Sequence, residues 1–230
     1  MTLLSVCQTA LRESGQFTVP ETIVGNADPT AVQLLALANR AGRTLANDYR
    51  WQALLTTHTF DTVASTDSYA LPSDFGRFAN VTFWDETNYA PVRGPLSAME
   101  WQALNSSSLA GSPIFDKAFR IAGGLFYLYP IPTAVETIAY TYYSSFWISG
   151  KSAFSLDADV ALIDEDLITL ELKWRWLQSK GDSFENEKRE AELRRESVLA
   201  ADGGRDVIRF SDSAGVRFRD GNLPTSGFGL

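Results

Sequence analysis

Histidine and cysteine are almost absent from this sequence of 230 residues, which contains one of each. Because Cys7 has no second cysteine to pair with, no intrachain disulfide can form, and this fits assembly in a reducing cytoplasm. Because His58 is the one histidine in the sequence, most kinds of metal site are excluded, as is every site that needs two imidazoles. We therefore expect neither a bound metal nor a cofactor.

Basic residues and long apolar runs are also scarce. The chain has 20 Lys and Arg against 28 Asp and Glu, whereas proteins that bind nucleic acid across their surface carry a basic excess. Arg40, Arg43 and Arg50 cluster near one predicted helix, but Asp48 lies among them, and a solvated helix face explains them. No apolar run approaches the roughly 18 residues of a membrane span, and the N-terminus lacks the early charge of a signal peptide. We expect the protein to stay in the cell that makes it or to leave inside a larger particle.

The common catalytic motifs are missing as well. The sequence has no GxSxG, GxxxxGK[ST], GxGxxG, HExxH or paired CxxC. A Ser-His-Asp triad would depend on His58, which a half-exposed strand position explains better. Cys7 falls on the apolar face of a predicted helix, where a buried free cysteine is common.

One alternative remains open, because two carboxylates can hydrolyse sugars without histidine or metal. Asp85 and Glu86 follow Trp84 in the sequence. Glu100 precedes Trp101, so both places offer an aromatic surface to a sugar ring. Adjacent acids more often mark a solvated turn, since neighbouring strand residues point to opposite faces. A carbohydrate-binding or polysaccharide-degrading module is therefore the alternative hypothesis.

Two helical patterns open the chain. Thr2 can cap a first helix, which Gly15 ends. Asp28 and Pro29 predict the start of a second helix, because Asp caps and Pro fits the first helical position. The apolar residues assigned to its buried face are Val32, Leu35, Ala38, Ala41, Leu45 and Tyr49.

From about Leu55 to Ile148 the pattern changes to short runs rich in Val, Thr, Phe and Tyr, which predict β-strands. Gly123 and Gly124 between two such runs predict a tight hairpin. The one amphipathic insert, residues 95–104, predicts a short helix capped by Ser97.

Helices resume at Asp164, where acids in the first turn and Lys180-Gly181 at the end match the helix dipole. Apolar side chains cover most of this helix, which is typical of a helix central in a bundle or wedged between subunits. The residues predicted for bundle or subunit packing are Leu167, Leu170, Trp174, Trp176 and Leu177. A further helix over 183–201 is predicted to have a solvated face with Glu185–Arg189 and Glu190–Arg194 pairs.

The C-terminal residues carry two similar patches, VIRF and VRFR, which are too aromatic for a solvated tail and too short for a domain. The sequence thus predicts an α+β fold: a helical bundle of the N- and C-terminal helices, an inserted antiparallel β region and an extended C-terminal arm. The predicted domains are the bundle (1–54 and 164–202), the β-rich insert (55–163) and the arm (203–230).

Six segments, taken in order, resemble the head-to-tail adaptor (connector) proteins of tailed bacteriophages, whose best-known member is tail tubular protein A of short-tailed phages. The segments are NADPTAVQLLALANRAGRTLANDYRWQALL, YALPSDFGRF, VRGPLSAMEWQAL, FRIAGGLFYLYPIP, IAYTYYSSFW and LIDEDLITLELKWRWLQSKG. The resemblance runs from the first helix to about residue 202, and the order of the segments is more specific than any one of them.

What the resemblance implies is a structural virion protein rather than an enzyme. It would form a ring, usually of twelve subunits, that joins the portal protein to a tail or nozzle protein at the head-tail junction. DNA would pass through the lumen without specific binding, no membrane would be involved, and assembly would occur in the host bacterial cytoplasm. The alternative is then a carbohydrate-binding or polysaccharide-degrading tail component that uses the aromatic β region.

The arm lies beyond the resemblance, so its role is inferred from its own residues. Its apolar side chains would be a liability if exposed, and a partner could accept them as an added strand or in pockets. We expect the arm to dock on the portal; the alternative is that it folds back on its own subunit as an edge strand. The residues predicted to dock are Arg205, Val207, Ile208, Arg209, Phe210, Val216, Arg217, Phe218 and Arg219.

Overall fold

The computed structural model describes residues 1–16, 18–79, 82–106 and 117–203. In these residues the chain forms five α-helices and eight strands, and the predicted α+β class is confirmed. The helices are α1 (Leu3–Glu13), α2 (Pro29–Asp48), α3 (Ala98–Ser106), α4 (Glu165–Lys180) and α5 (Glu185–Gly203). The strands are β1 (Leu55–Asp61), β2 (Ser68–Ala70), β3 (Phe75–Phe78), β4 (Trp84–Asp85), β5 (Ala90–Pro91), β6 (Ala118–Ala122), β7 (Leu125–Tyr129) and β8 (Thr137–Ser144).

Two helices begin at the caps that the sequence predicts, and a third begins directly after Asp164, where the sequence predicts that helices resume. The side chain of Thr2 accepts the amide of Ser5 in α1. Asp28 accepts the amide of Thr30 at 2.9 Å in α2, and Asp164 accepts the amide of Leu167 at 2.8 Å in α4. Each side-chain oxygen accepts a hydrogen bond from a backbone N–H group that has no partner within the helix. These helix starts are therefore determined by residues that are close together in the sequence.

The chain divides into two compact units. The first contains Met1–His58, Pro72–Ala79 and the chain from Thr141 to the end of α5. The second contains Thr59–Leu71 and the described part of residues 80–140. Residues 141–163, which the sequence analysis assigned to the β-rich insert, are thus grouped with the helices. The division into a bundle, a β-rich insert and an arm stays a prediction.

In the first unit α4 is the central helix, because α1, α2 and α5 all pack against it. The face of α2 that is buried consists of Ala31, Leu34, Ala38, Ala41, Gly42 and Leu45. The assignment of Val32 to this face was wrong, since its side chain is 55% exposed. Ala31 and Leu34 are buried one residue before the predicted Val32 and Leu35, whereas Ala38, Ala41 and Leu45 are buried as predicted. The alanines on this face are small enough to permit a close helix contact.

The centre of α2 is shaped around one aromatic ring. Gly42 lies so close to Trp147 that a Cβ atom there would meet the ring at 2.1 Å. The Trp147 indole donates to the carbonyl oxygen of Ser152 at 2.7 Å, and its ring packs edge-on against Phe154. Trp147 is therefore held from two sides, and only glycine fits opposite it.

The segment from residue 145 to 163 is fixed to the start of the chain by two aspartates. Asp157 accepts the amides of Ile23 and Val24, and the carbonyl oxygen of Asp159 accepts the amide of Leu3 at 2.9 Å. The carboxylate of Asp159 accepts the amides of Ser155 and Leu156, both at 2.8 Å. This segment is thus an ordered part of the helical unit without being a helix or a strand.

The carboxylate of Asp159 makes this unit sensitive to acid. Its burial alone would raise the pKa, but hydrogen bonds from Lys151, Ser155 and Leu156 outweigh burial and lower the pKa to about 2. Because an unfolded aspartate titrates near about 4, the carboxylate stabilises the fold above that pH, and its contribution is lost as pH falls toward about 2.

We expect Asp159→Asn to lower the free energy of unfolding by about 1–2 kcal/mol at pH 7, since the charged acceptor is lost. The difference from wild type should shrink as the pH is lowered from about 4 toward about 2, where the wild-type carboxylate is itself protonated. Urea titrations of both proteins at pH 7, 5 and 3 measure this. A difference that is constant over this range would contradict the assigned role.

The second unit contains the predicted hairpin and an aromatic core. β6 and β7 are antiparallel neighbours joined by Gly123 and Gly124, which both have positive φ, and β2 pairs with the other edge of β7. β4 pairs with β5 and with the first part of β8, which also pairs with β1. The core rings are Phe83, Phe119, Phe126 and Tyr140, which stack on one another except that Phe83 and Phe119 are tilted by 32°.

Two predicted helices have shifted bounds. α3 begins at Ala98, where Ser97 and Glu100 form a reciprocal capping box, and it ends at Ser106 instead of residue 104. α5 spans Glu185–Gly203 instead of 183–201. Gly203 does not end the helix before itself, because it is the last residue of α5; a single glycine only weakens a helix.

Candidate assembly surfaces

The five residues predicted for bundle or subunit packing divide into two groups on α4. Leu167 and Trp176 are buried in the core of the helical unit. Leu170, Trp174 and Leu177 are half-buried. Trp174 packs beside Phe184, with 6.2 Å between the ring centroids. Packing within this chain thus accounts for the first group, and a subunit contact at the second stays a prediction.

The buried face of α4 contains an ion pair that the sequence analysis did not identify. Glu171 and Arg175 are both buried. The Arg175 guanidinium donates a hydrogen bond to the Glu171 carboxylate and another, at 2.9 Å, to the backbone carbonyl oxygen of Glu171. The Trp174 indole donates to the same carboxylate at 2.8 Å. The pair is satisfied within one helix, so it needs no partner chain. Burial of this pair could have been predicted from the sequence, because Glu171 and Arg175 lie on the same helix face as the apolar residues Ile168 and Leu172.

Helix α5 is attached to the unit by a narrow stripe. Ala191 is its one buried residue in the described chain, although the helix has 19 residues. Arg194 donates to Asp164 at 2.9 Å and to Asp166 at 3.3 Å. The predicted Glu185–Arg189 and Glu190–Arg194 pairs were therefore both wrong: Arg189 has no ion pair among the described residues, and the start of α4 offers Arg194 two carboxylates. Most of the α5 surface, including Leu193 at 60% exposure, faces outward.

The outer face of α2 carries two exposed arginines in the second half of the helix, before its last turn. Arg40 and Arg43 are exposed on it, and neither forms an ion pair with a described residue. A cleft of about 300 Å³ runs beside Arg43 and is lined by Ala46, Trp147 and Ala153 among others. These arginines were predicted to belong to a solvated helix face, and the cleft beside Arg43 has no signal in the sequence.

Cys7 and His58 are the remaining candidates for a nucleophile or a metal ligand, and they lie in α1 and β1 respectively. Cys7 is buried, and desolvation, with the nearby Asp157 charge, raises the pKa of its thiol to about 12, so the thiol stays protonated. His58 is half-buried in β1. Across the described ranges, no group of three His, Cys, Asp or Glu side chains is placed to hold a metal ion. In the same residues, no helix has both the length and the apolar character needed to cross a membrane.

The acids of the carbohydrate hypothesis have structural partners too. Burial alone would raise the pKa of Asp85, but hydrogen bonds from Asn88 and Lys117 lower it. Hydrogen bonds from Ser97 lower the pKa of Glu100. A general acid for sugar hydrolysis needs a raised pKa, so both shifts have the wrong direction. Glu86 is exposed, and Trp84 is half-buried.

A model of the SU10 adaptor protein family matches residues 1–211. The chain belongs to this family. No curated protein matches the sequence.

Membership in the SU10 adaptor family indicates a structural adaptor of a bacteriophage and a component of its virion. The predicted resemblance to phage head-tail adaptors is confirmed at this level, and a particular similarity to tail tubular protein A stays a prediction. The family match includes the described helices and strands and reaches into the arm.

The nine residues predicted to dock on the portal lie outside the described residues. They are Arg205, Val207, Ile208, Arg209, Phe210, Val216, Arg217, Phe218 and Arg219. The first patch, Val207–Phe210, lies within the residues that match the SU10 adaptor family, and the second patch lies beyond them.

Proposed function

We propose that this SU10 adaptor forms a ring, of about twelve copies as in the phage connectors it resembles, that joins the portal to the tail, as tail tubular protein A does in short-tailed phages. The ring lines the channel through which DNA leaves the head. The arm reaches the portal, and the β unit meets a tail or nozzle protein. Subunits assemble in the host bacterial cytoplasm.

The observation that carries this proposal is the exposure of α5. One side chain of this helix of 19 residues is fully buried among the described residues, so most of its surface, including the apolar Leu193, is available for contact with another chain. Repeated contacts in a closed ring add up, because each subunit is held by two neighbours. A structural part of this kind needs no catalytic residues.

The charge of the chain supports a DNA channel. Each copy carries a net charge of −8, so a ring of copies is strongly negative. Basic side chains attract phosphates and hold DNA, whereas an acidic wall repels it. Repulsion between the wall and the phosphates therefore favours rapid sliding of DNA through the lumen.

The test is the mass of the purified full-length protein, measured alone and after mixing with portal, together with one micrograph of the mixture. We expect rings, either alone or on the portal, and a complex that contains both proteins. A protein that remains a monomer under both conditions would contradict the proposal. Release of reducing sugar from host polysaccharide by that monomer would favour the carbohydrate hypothesis instead.

A further inference from the structure

Helices α2 and α5 present surfaces of opposite character on the same unit. α2 exposes Arg40 and Arg43, and Arg43 lines a cleft whose apolar lining residues are Ala46, Trp147 and Ala153. The other lining residues are Asn39, Asn47, Ser145 and Ser152. α5 exposes Leu193 between Glu190 and Glu196. One surface is a cleft with one cation in its lining and a second cation three residues earlier on the same helix, and the other is an apolar side chain with an anion three residues away on either side.

We propose that these two surfaces are the two halves of the contact between neighbouring copies of this chain. Leu193 of one copy enters the cleft beside α2 of the next copy, and Glu190 and Glu196 pair with Arg40 and Arg43. This inference rests on the ring proposed above and names the residues that close it.

The charges of the two faces are available for such a contact. In the part of the chain that the structure describes, Glu190, Glu196, Arg40 and Arg43 form no ion pair. One cation of the α5 surface, Arg189, is likewise without an ion pair among the described residues, so the face is predominantly acidic rather than uniformly so. Complementary charges steer association and fix its register.

The spacings of the charged residues are compatible. Glu190, Leu193 and Glu196 are three residues apart, so they follow one side of α5, and the two carboxylates are separated by about 9 Å along the axis. Arg40 and Arg43 are separated by about 4.5 Å along α2. Arginine side chains are long enough to span the difference and can form two parallel hydrogen bonds to a carboxylate.

The contact joins two different surfaces of the same protein. Such a head-to-tail contact leaves one free α2 surface at one end of the growing assembly and one free α5 surface at the other, so addition continues until the rotation closes a ring. An isologous dimer would instead use up both surfaces in one step. The proposed contact therefore predicts particles larger than a dimer, both for wild type and for a mixture of complementary variants, whereas a two-fold contact stops at two copies.

The test uses two full-length variants with reversed charges: Arg40→Glu with Arg43→Glu, and Glu190→Arg with Glu196→Arg. Each variant alone places like charges at every joint, and we expect the protein concentration for half-assembly to rise at least about tenfold. In a 1:1 mixture the two variants can alternate around the ring, so that each α2 surface again meets an α5 surface of opposite charge. We therefore expect rings to form again in the mixture. Particle masses of each variant, of the mixture and of wild type measure this, in solution and on portal-bearing capsids.

Two control variants reverse exposed charges elsewhere by the same amount. Arg12→Glu with Arg93→Glu, and Glu21→Arg with Glu86→Arg, should assemble like wild type. Circular dichroism of each variant establishes that its helices are intact.

Normal assembly of both α2 and α5 variants would overturn this contact and leave the ring itself standing. Failure of the mixture to assemble, when each variant alone has lost assembly, would overturn the head-to-tail pairing. A wild-type protein that forms no ring either in solution or on the portal would overturn the proposed function and this contact with it.

Discussion

Alanine at position 42 is expected to destabilise the helical unit, although a glycine-to-alanine change inside a helix usually stabilises it. The usual gain is about 1 kcal/mol, because alanine loses less backbone entropy on folding. Here the new Cβ atom would lie 2.1 Å from a ring atom of Trp147. The ring cannot move aside easily, since it is buried, bonded to Ser152 and packed on Phe154.

We expect Gly42→Ala to lower the free energy of unfolding by about 2–3 kcal/mol, as overpacked cores do. This corresponds to a melting temperature lower by roughly 5–10 °C for a chain of this size. Thermal unfolding followed by circular dichroism measures it. Asn47→Ala, at an exposed position of the same helix, is the control and should change stability by less than about 0.5 kcal/mol.

The cause is tested by a second substitution. Trp147→Phe shortens the ring system, so Gly42→Ala should cost less in that background than in wild type, and the two changes should not be additive. A melting temperature for Gly42→Ala at or above that of wild type would show that the ring is not fixed as the structure has it.

The helix starts could be predicted from sequence because they depend on neighbours in the chain. Thr2, Asp28 and Asp164 each bond to an amide two or three residues later, and that chemistry is local. The hairpin at Gly123 and Gly124 was predictable for the same reason, since a two-residue turn of this type requires positive φ at both positions.

What the sequence did not predict depends on residues that are distant in the chain. The need for glycine at position 42 comes from Trp147, and the partners of Arg194 come from the start of α4. Glu171 and Arg175 have the spacing of a solvated pair, and only the packing of α1, α2 and α5 around α4 makes them buried. The two proposed contact surfaces follow the same rule, because the cleft beside Arg43 is built from α2 and residues 145–153 together.

Removal of the arm is expected to have the largest effect on assembly and a small effect on the subunit. Truncation after Gly204 removes 26 residues and leaves every described helix and strand in place. We expect the truncated protein to be folded, with a melting temperature close to that of wild type. It should no longer join portal-bearing capsids, and their particles should lack tails.

The reason lies in the balance between chain entropy and contact. Ordering the backbone costs about 1–2 kcal/mol per residue, so the arm is worth ordering only against a surface that accepts its apolar side chains. The patches VIRF and VRFR provide these side chains, and their arginines can pair with carboxylates at the edge of such a surface. A modest contact of this kind becomes a firm joint when every subunit of a ring repeats it.

Two further truncations locate the contact within the arm. Truncation after Gly221 removes only the final Gly/Pro/Ser tail and should leave capsid binding unchanged, which makes it the matched control. Truncation after Ser211 keeps Val207–Phe210, the patch within the family match, and removes the second patch. If both patches dock, this variant should bind portal more weakly than wild type and more strongly than the protein ending at Gly204. Undiminished binding by the protein ending at Gly204 would assign portal docking to another segment, and a lowered melting temperature in that protein would instead indicate an arm that folds back on its own subunit.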